Sequence, residues 1–335
     1  MKNSVNRLIH HLEHRANSTW LVYFIVITAL INLLQSVFTG ILNDEAYYWY
    51  YAQAPAWGYF DHPPMVAWWI YFGNVLFEGT LGIRLLAIGT YAFLLLVLSR
   101  ILNLTQYPKT IPLFIAVCIG FVMMNLYGFI MVPDTPMLFF AAAFLWLYKL
   151  FLEKESWPLV LLLGIAMVGM VYSKYHSVLF LILVVFANLK LLKNLKFLTA
   201  ILLSLFLFIP HFWWLIAHEW APIQYHFVDR SANEFKWSNV LNTLINVLAV
   251  SGLLSPLLIY ALIKMSAKNI FERTLKIVFW GFVAFFVYQS FKSKTQAQWF
   301  ILLLFPLIYL GVKYAVDNYK LKRWIFILSG ITLAI

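Results

Sequence analysis

The chain has little charge, almost no cysteine and no polar linker. Only 11% of its 335 residues are charged while 63% are hydrophobic, and mean hydropathy is +0.83. A soluble domain carries about 25% charged and about 45–50% apolar residues. The shortfall excludes an ordinary soluble enzyme and a disordered chain. The single cysteine, Cys118, sits inside an apolar run, which excludes an internal disulfide and a cysteine-built metal site. No Gly/Ser-rich linker, internal repeat or low-complexity stretch divides the chain, and no segment is polar enough for a separate soluble domain.

What fills the sequence instead is apolar runs of membrane length. A spanning helix needs about 20 apolar residues. Runs bounded by polar breaks predict spans at about 20–40, 82–101, 111–131, 136–152, 158–173, 176–190, 197–217, 238–262, 277–290 and 298–312. The expected fold class is all-α: a polytopic transmembrane helix bundle with short interfacial helices in its first extracytoplasmic loop. The first run is too long for a cleaved signal and reads as a retained span. Residues 1–19 read as a basic cytoplasmic tail and 20–335 as one transmembrane domain. The last run, Trp324 to Ile335, is too short to span, which points to a chain cut short at its C-terminus.

The net charge of +11 follows topology and requires no nucleic acid. With the N-terminus in the cytoplasm, 18 of the 24 Lys and Arg fall in inner segments, as the positive-inside rule requires. Of the 13 acidic residues, 8 fall outside, together with His62, His176, His211, His218 and His226. A secondary transporter places ionisable groups near the bilayer midplane. Here the polar chemistry collects at the outer boundary.

Six outer segments carry that chemistry. The first opens Asn43-Asp44-Glu45-Ala46-Tyr47-Tyr48-Trp49, and on a helix Asp44, Tyr48 and Tyr51 share a face. Either Asp44 caps a helix in an aromatic belt, or it is a reactive carboxylate held between membrane and water. Gly58-Tyr59-Phe60-Asp61-His62-Pro63-Pro64 follows, with Asp61 a good cap for a short helix over 65–77. In Pro133-Asp134-Thr135-Pro136, Asp134 is placed to cap the next span. Ser173-Lys174-Tyr175-His176 puts a lysine where the charge bias opposes one, suggesting an anion site. Pro210-His211 leads to His218-Glu219-Trp220 and then His226 to Arg230. His218, Glu219 and His226 match no specific zinc spacing, whereas Arg230 is a natural phosphate partner. Lys292 and Lys294 return outside and suit lipid phosphate.

Carboxylates, cations and aromatics at a membrane boundary suit a donor that is itself a lipid. With a polyprenyl-phosphate sugar the leaving group is already good, cations stabilise its growing charge, and one carboxylate serves as general base on an acceptor hydroxyl. The same inventory suits flipping or transport of a lipid-linked sugar without transfer. A structural membrane subunit is a third reading, in which outer charges matter only for folding.

The ordered motifs favour the first. Asp44-Glu45-Ala46-Tyr47-Tyr48-Trp49 followed by Tyr59-Phe60-Asp61-His62-Pro63-Pro64 resembles the first outer loop of membrane glycosyltransferases of GT-C type. The nearest group is the bacterial dolichyl-phosphate-mannose-protein mannosyltransferases and their aminoarabinose-transferase relatives (family 39/83 type). Pro133-Asp134-Thr135-Pro136, Ser173-Lys174-Tyr175, Pro210-His211 and Asp229-Arg230 recur in family order, so the resemblance runs over about 20–310. It implies a polyprenyl-phosphate-linked sugar donor, an extracytoplasmic site in the bacterial inner membrane and catalysis by the first-loop acid, here Asp44 with Glu45 beside it. It places Lys174 and Arg230 near the donor phosphate. With these, Tyr48, Tyr59, Asp61, His62, Asp134, Tyr175 and His211 complete the expected substrate-binding set. The expected reaction is inverting transfer to a glycan, lipid or protein hydroxyl. No cofactor is demanded, though the carboxylates admit a divalent cation. The family usually continues with further spans and a C-terminal domain, so acceptor recognition is expected partly beyond this chain.

Overall fold

The computed structural model describes residues 2–225 and 235–335, with side chains from 19 onward. His226, Asp229 and Arg230 lie outside the described residues. The order is α1 (Lys2–Phe38), α2 (Asn43–Ala52), α3 (Met65–Leu76), α4 (Gly79–Ile101), α5 (Ile111–Gly120), α6 (Val122–Leu126), α7 (Asp134–Glu153), α8 (Trp157–Ser173) and α9 (Ser177–Ala187). It continues with α10 (Leu195–Ala217), α11 (Ala221–Gln224), α12 (Trp237–Ala249), α13 (Ser255–Lys264), α14 (Ile270–Ser290), α15 (Leu304–Val316) and α16 (Tyr319–Ala334). No strand occurs among the described residues. The expected helical bundle is observed, and the chain is an integral membrane protein.

Five helices among the described residues are long and apolar enough to cross a membrane, six if one bent pair counts as a span. Ten runs were expected; some of them form helices shorter than a full span, such as α8 and α9, and two are interrupted by helix breaks that side-chain apolarity does not register. The 111–131 run breaks at Phe121, whose φ of −90° and ψ of 80° are not helical. Asn125 repairs the break: its amide donates to the carbonyls of Cys118 (3.3 Å) and Ile119 (2.9 Å), and its oxygen accepts the Tyr91 hydroxyl at 2.6 Å. A broken helix in hydrocarbon survives only when its freed backbone groups find such partners. The 238–262 run bends by 100° between α12 and the segment starting at Gly252. There the Ser255 hydroxyl is bonded to the Leu248 carbonyl and lies 2.6 Å from that of Ser251.

The first loop folds close to expectation, as two short helices. α3 is too short to span and packs on α4, returning through a tight turn. That approach needs glycine on both sides. A Cβ on Gly73 would lie 2.0 Å from the Gly82 carbonyl, and one on Gly82 would lie 1.9 Å from the Phe77 carbonyl. Gly73→Ala is therefore expected to force the helices apart and cost about 1–3 kcal/mol, the usual price of overpacking. A lowered unfolding midpoint in mixed micelles checks this; an unchanged midpoint contradicts it.

The capping expectations fail. The cap of α3 is Pro64, not Asp61, and that of α7 is Pro133, with Asp134 already inside the helix. α2 begins after Leu42, so Asp44 is a first-turn residue and not its cap. None of the three is a helix cap, although Asp44 and Asp134 stay in first turns, and Asp61 and Asp134 take side-chain partners from elsewhere. The main core is built from α4, α5, α7, α8, α13, α14 and α15. A smaller cluster under the first loop, containing Tyr48, Tyr59, Ile70, Ala87 and Met131, fastens that loop to the bundle.

Candidate active site

Adjacent residues on a helix point about 100° apart, so the two acids opening α2 meet opposite surroundings. Glu45 turns inward and is 0% exposed, whereas Asp44 is exposed. Arg84 on α4, 1% exposed, meets Glu45 as a two-pronged pair. Its Nε donates to Oε1 at 2.8 Å and its Nη2 to Oε2 at 2.5 Å. The remaining guanidinium hydrogens go to the carbonyls of Thr39 (3.0 Å) and Gly40 (2.8 Å) and to the Thr39 hydroxyl (2.7 Å). Glu45 also accepts the backbone N–H of Leu42 at 3.1 Å and of Met131 at 3.0 Å. A carboxylate offers about four acceptor sites, and here all are taken. One ion pair thus ties the end of α1, the start of α2, α4 and the segment leading to Asp134.

Asp61 accepts two phenols, Tyr47 at 3.1 Å and Tyr51 at 3.0 Å, and lies 3.8 Å from His62 Nε2. The two hydroxyl oxygens also lie against each other, so two protons serve three contacts and at least one of the phenols donates to Asp61. Burial pushes both phenols up from their usual range, and the Asp61 carboxylate adds to the effect. They therefore stay protonated, and their protons are held between the two phenol oxygens and Asp61. Tyr51 stacks on Tyr59, centroids 4.2 Å apart and planes 11° apart. The Tyr59 hydroxyl is used by the loop backbone, at Ala54 and Ala56.

Tyr48 is where the acids converge. Its phenol is pushed well up by burial, then by the charges of Asp61, Asp134 and Asp44 in that order. Three carboxylates spread over 90 residues of sequence thus act on one buried hydroxyl. Asp134 in turn receives Lys174 Nζ on both oxygens at 2.8 Å, with side chains only 4% and 10% exposed. Lys174 stands at the end of α8, where the helix stops and Tyr175 begins a turn. The Tyr175 hydroxyl lies 3.0 Å from His211 Nε2, while His211 Nδ1 bonds the Trp57 carbonyl. His211 is therefore held on both ring nitrogens and links α10 to the first loop.

The fold gathers Asp44, Glu45, Tyr48, Tyr59, Asp61, His62, Asp134, Lys174, Tyr175 and His211 at one end of the bundle. Of the carboxylates Asp44, Glu45, Asp61 and Asp134, Asp44 alone has no hydrogen bond among the described residues. Arg84 went unassigned in the sequence, although an arginine against the charge bias was a usable signal. Its partner lies 39 residues upstream, a distance no local pattern bridges. Among the described residues no group of three or more His, Cys, Asp or Glu is placed to hold a metal ion.

Comparison with known proteins follows the same lines. The family model of dolichyl-phosphate-mannose-protein mannosyltransferase matches residues 61–214. No curated protein sequence matches the chain. The crystal structure of ArnT from Cupriavidus metallidurans in the apo state superposes with a TM-score of 0.70 at 15% identity, over 90% of this chain. The same protein bound to undecaprenyl phosphate gives 0.68 at 14%, again over 90% of this chain. In both cases this chain spans 60% of the length of the relative. The chain therefore has the GT-C fold, and over 61–214 it carries the sequence pattern of the dolichyl-phosphate-mannose-protein mannosyltransferases.

Proposed function

We propose that this protein transfers a sugar from a polyprenyl-phosphate donor to an acceptor hydroxyl, with inversion, at the extracytoplasmic face of the membrane. The observation that carries the reading is Asp44, exposed and without a hydrogen bond among the described residues, beside three carboxylates that are already engaged. A general base must be open to the proton it takes. Asp44 removes the acceptor proton as the acceptor oxygen bonds the anomeric carbon. The bond from that carbon to the phosphate oxygen breaks, and polyprenyl phosphate leaves with the electron pair.

Glu45 takes no proton in this scheme. Fixed by Arg84, it positions Asp44 and the segment carrying Asp134. Lys174 has three donor hydrogens and gives contacts to both Asp134 oxygens, so one direction stays open to a donor phosphate oxygen. Arg230 supplies a second cation. Tyr47, Tyr51, Asp61 and His62 wall the sugar pocket, with Tyr48 beneath it. The undecaprenyl phosphate bound by ArnT supports a lipid donor of this chemistry, and the outward bias of acidic residues supports the face. The acceptor is a glycan, a lipid headgroup or a protein.

The test is loss of label from a radiolabelled undecaprenyl-phosphate sugar by purified protein in lipid, with cell-envelope extract as acceptor. Release that requires Asp44 is expected. Donor binding with lipid movement between leaflets, and no release, would replace transfer by transport.

A further inference from the structure

Beyond Asp61 the first loop shares a wall with a cavity of about 380 Å³, lined by Phe60, Trp214, Ala217, His218, Glu219 and Ala221. We propose that this cavity is a saccharide-binding subsite, a place for one sugar ring of the donor or the acceptor. In assigning the sugar to those substrates, the proposal rests on the transfer reading above. The volume lies in the range of ligand sites, about 300–1,000 Å³.

Its surface has the two faces a sugar ring needs. One is aromatic: His218 stacks on Trp214, centroids 4.1 Å apart and planes 16° apart, with Phe60 also lining the cavity. An aromatic face matches the C–H side of a pyranose. The other is a pair of acceptors. His218 Nδ1 lies 2.9 Å from the Trp214 carbonyl, which puts a ring proton on Nδ1, so that in the neutral imidazole Nε2 is an acceptor. The Glu219 carboxylate is exposed beside it. Two acceptors at the edge of an aromatic face complement ring hydroxyls, which donate.

The backbone gives a second, independent reason. Glu219 and Trp220 have φ of 52° and 58°, the left-handed region that side chains make costly. Helices commonly end there with glycine. This one ends with two large side chains, and strain of this kind persists mainly where the surroundings require it, often at ligand sites. The cavity is also fastened to the first loop. A Cβ on Gly58 would lie 2.4 Å from the Trp214 indole, so only glycine lets that loop close against the aromatic wall. Gly58 and Phe60 stand three and one residues before Asp61, so a ring in the cavity lies against the segment that carries this carboxylate.

Saturation-transfer NMR on the whole protein in nanodiscs free of glycoside detergent tests this, with methyl glucoside, methyl mannoside and methyl N-acetylglucosaminide as probes. Transfer to ring C–H protons is expected for at least one. It should fall several-fold in His218→Ala. In Glu219→Gly it should also fall, while the unfolding midpoint holds or rises, because glycine is at ease at that φ. Competition by an undecaprenyl-phosphate sugar assigns the ring to the donor; transfer undiminished by that donor assigns it to the acceptor. No transfer from any probe, or equal transfer in both variants, overturns the subsite. The readout needs no turnover, so it fails separately from the donor-release assay.

Discussion

Arg84→Ala is expected to destabilise the protein by about 3–5 kcal/mol, the cost of leaving a buried charge unpaired. Glu45 is 0% exposed and has no water to turn to. The carbonyls of Thr39 and Gly40 lose their donors at the same time. Equilibrium unfolding in mixed micelles measures this. The double variant Arg84→Met, Glu45→Met separates stability from positioning. Replacing both partners by apolar groups is often neutral or stabilising, so the double variant should recover much of the lost stability. It should not recover donor release, because the N–H groups of Leu42 and Met131 lose the acceptor that holds them. A stable double variant that releases donor normally would reduce the pair to a fold element.

Asp44→Asn is expected to lower the transfer rate by about 10²–10⁴-fold, the range general base catalysis contributes. The change keeps shape and removes only the ability to accept a proton. Because Asp44 is exposed and has no hydrogen bond among the described residues, stability should shift by no more than about 0.5 kcal/mol. Donor affinity should hold, since no phosphate contact is assigned to Asp44, and the loss should fall on the rate at saturating donor. Asp61→Asn makes the contrast. It weakens the acceptor of two phenols, so its effect should fall on substrate affinity more than on rate. An Asp44→Asn protein within a few-fold of wild type would remove the proposed base.

Read alone, the sequence determined the class of molecule. Apolar runs, sparse charge and the split of cations and acids suffice for a membrane helix bundle with its chemistry at one end, because these are statements about solvent and need no contacts. The first-loop motif was equally legible: Asp44, Asp61 and His62 stand in order along a short stretch. Helix continuity was not. Phe121 and Gly252 interrupt runs that are apolar on average, and hydropathy measures side chains while a break is a backbone event. Nor could the adjacent acids Asp44 and Glu45 be told apart. Which is open and which is bound depends on Arg84 from another helix. Likewise Lys174 read as part of an anion site, and the carboxylate it meets, Asp134, lies 40 residues away. Charge, hydropathy and local motif are carried by composition along the chain. The pairing of buried charges is decided by packing across it, because a buried carboxylate takes whichever donors the neighbouring helices bring.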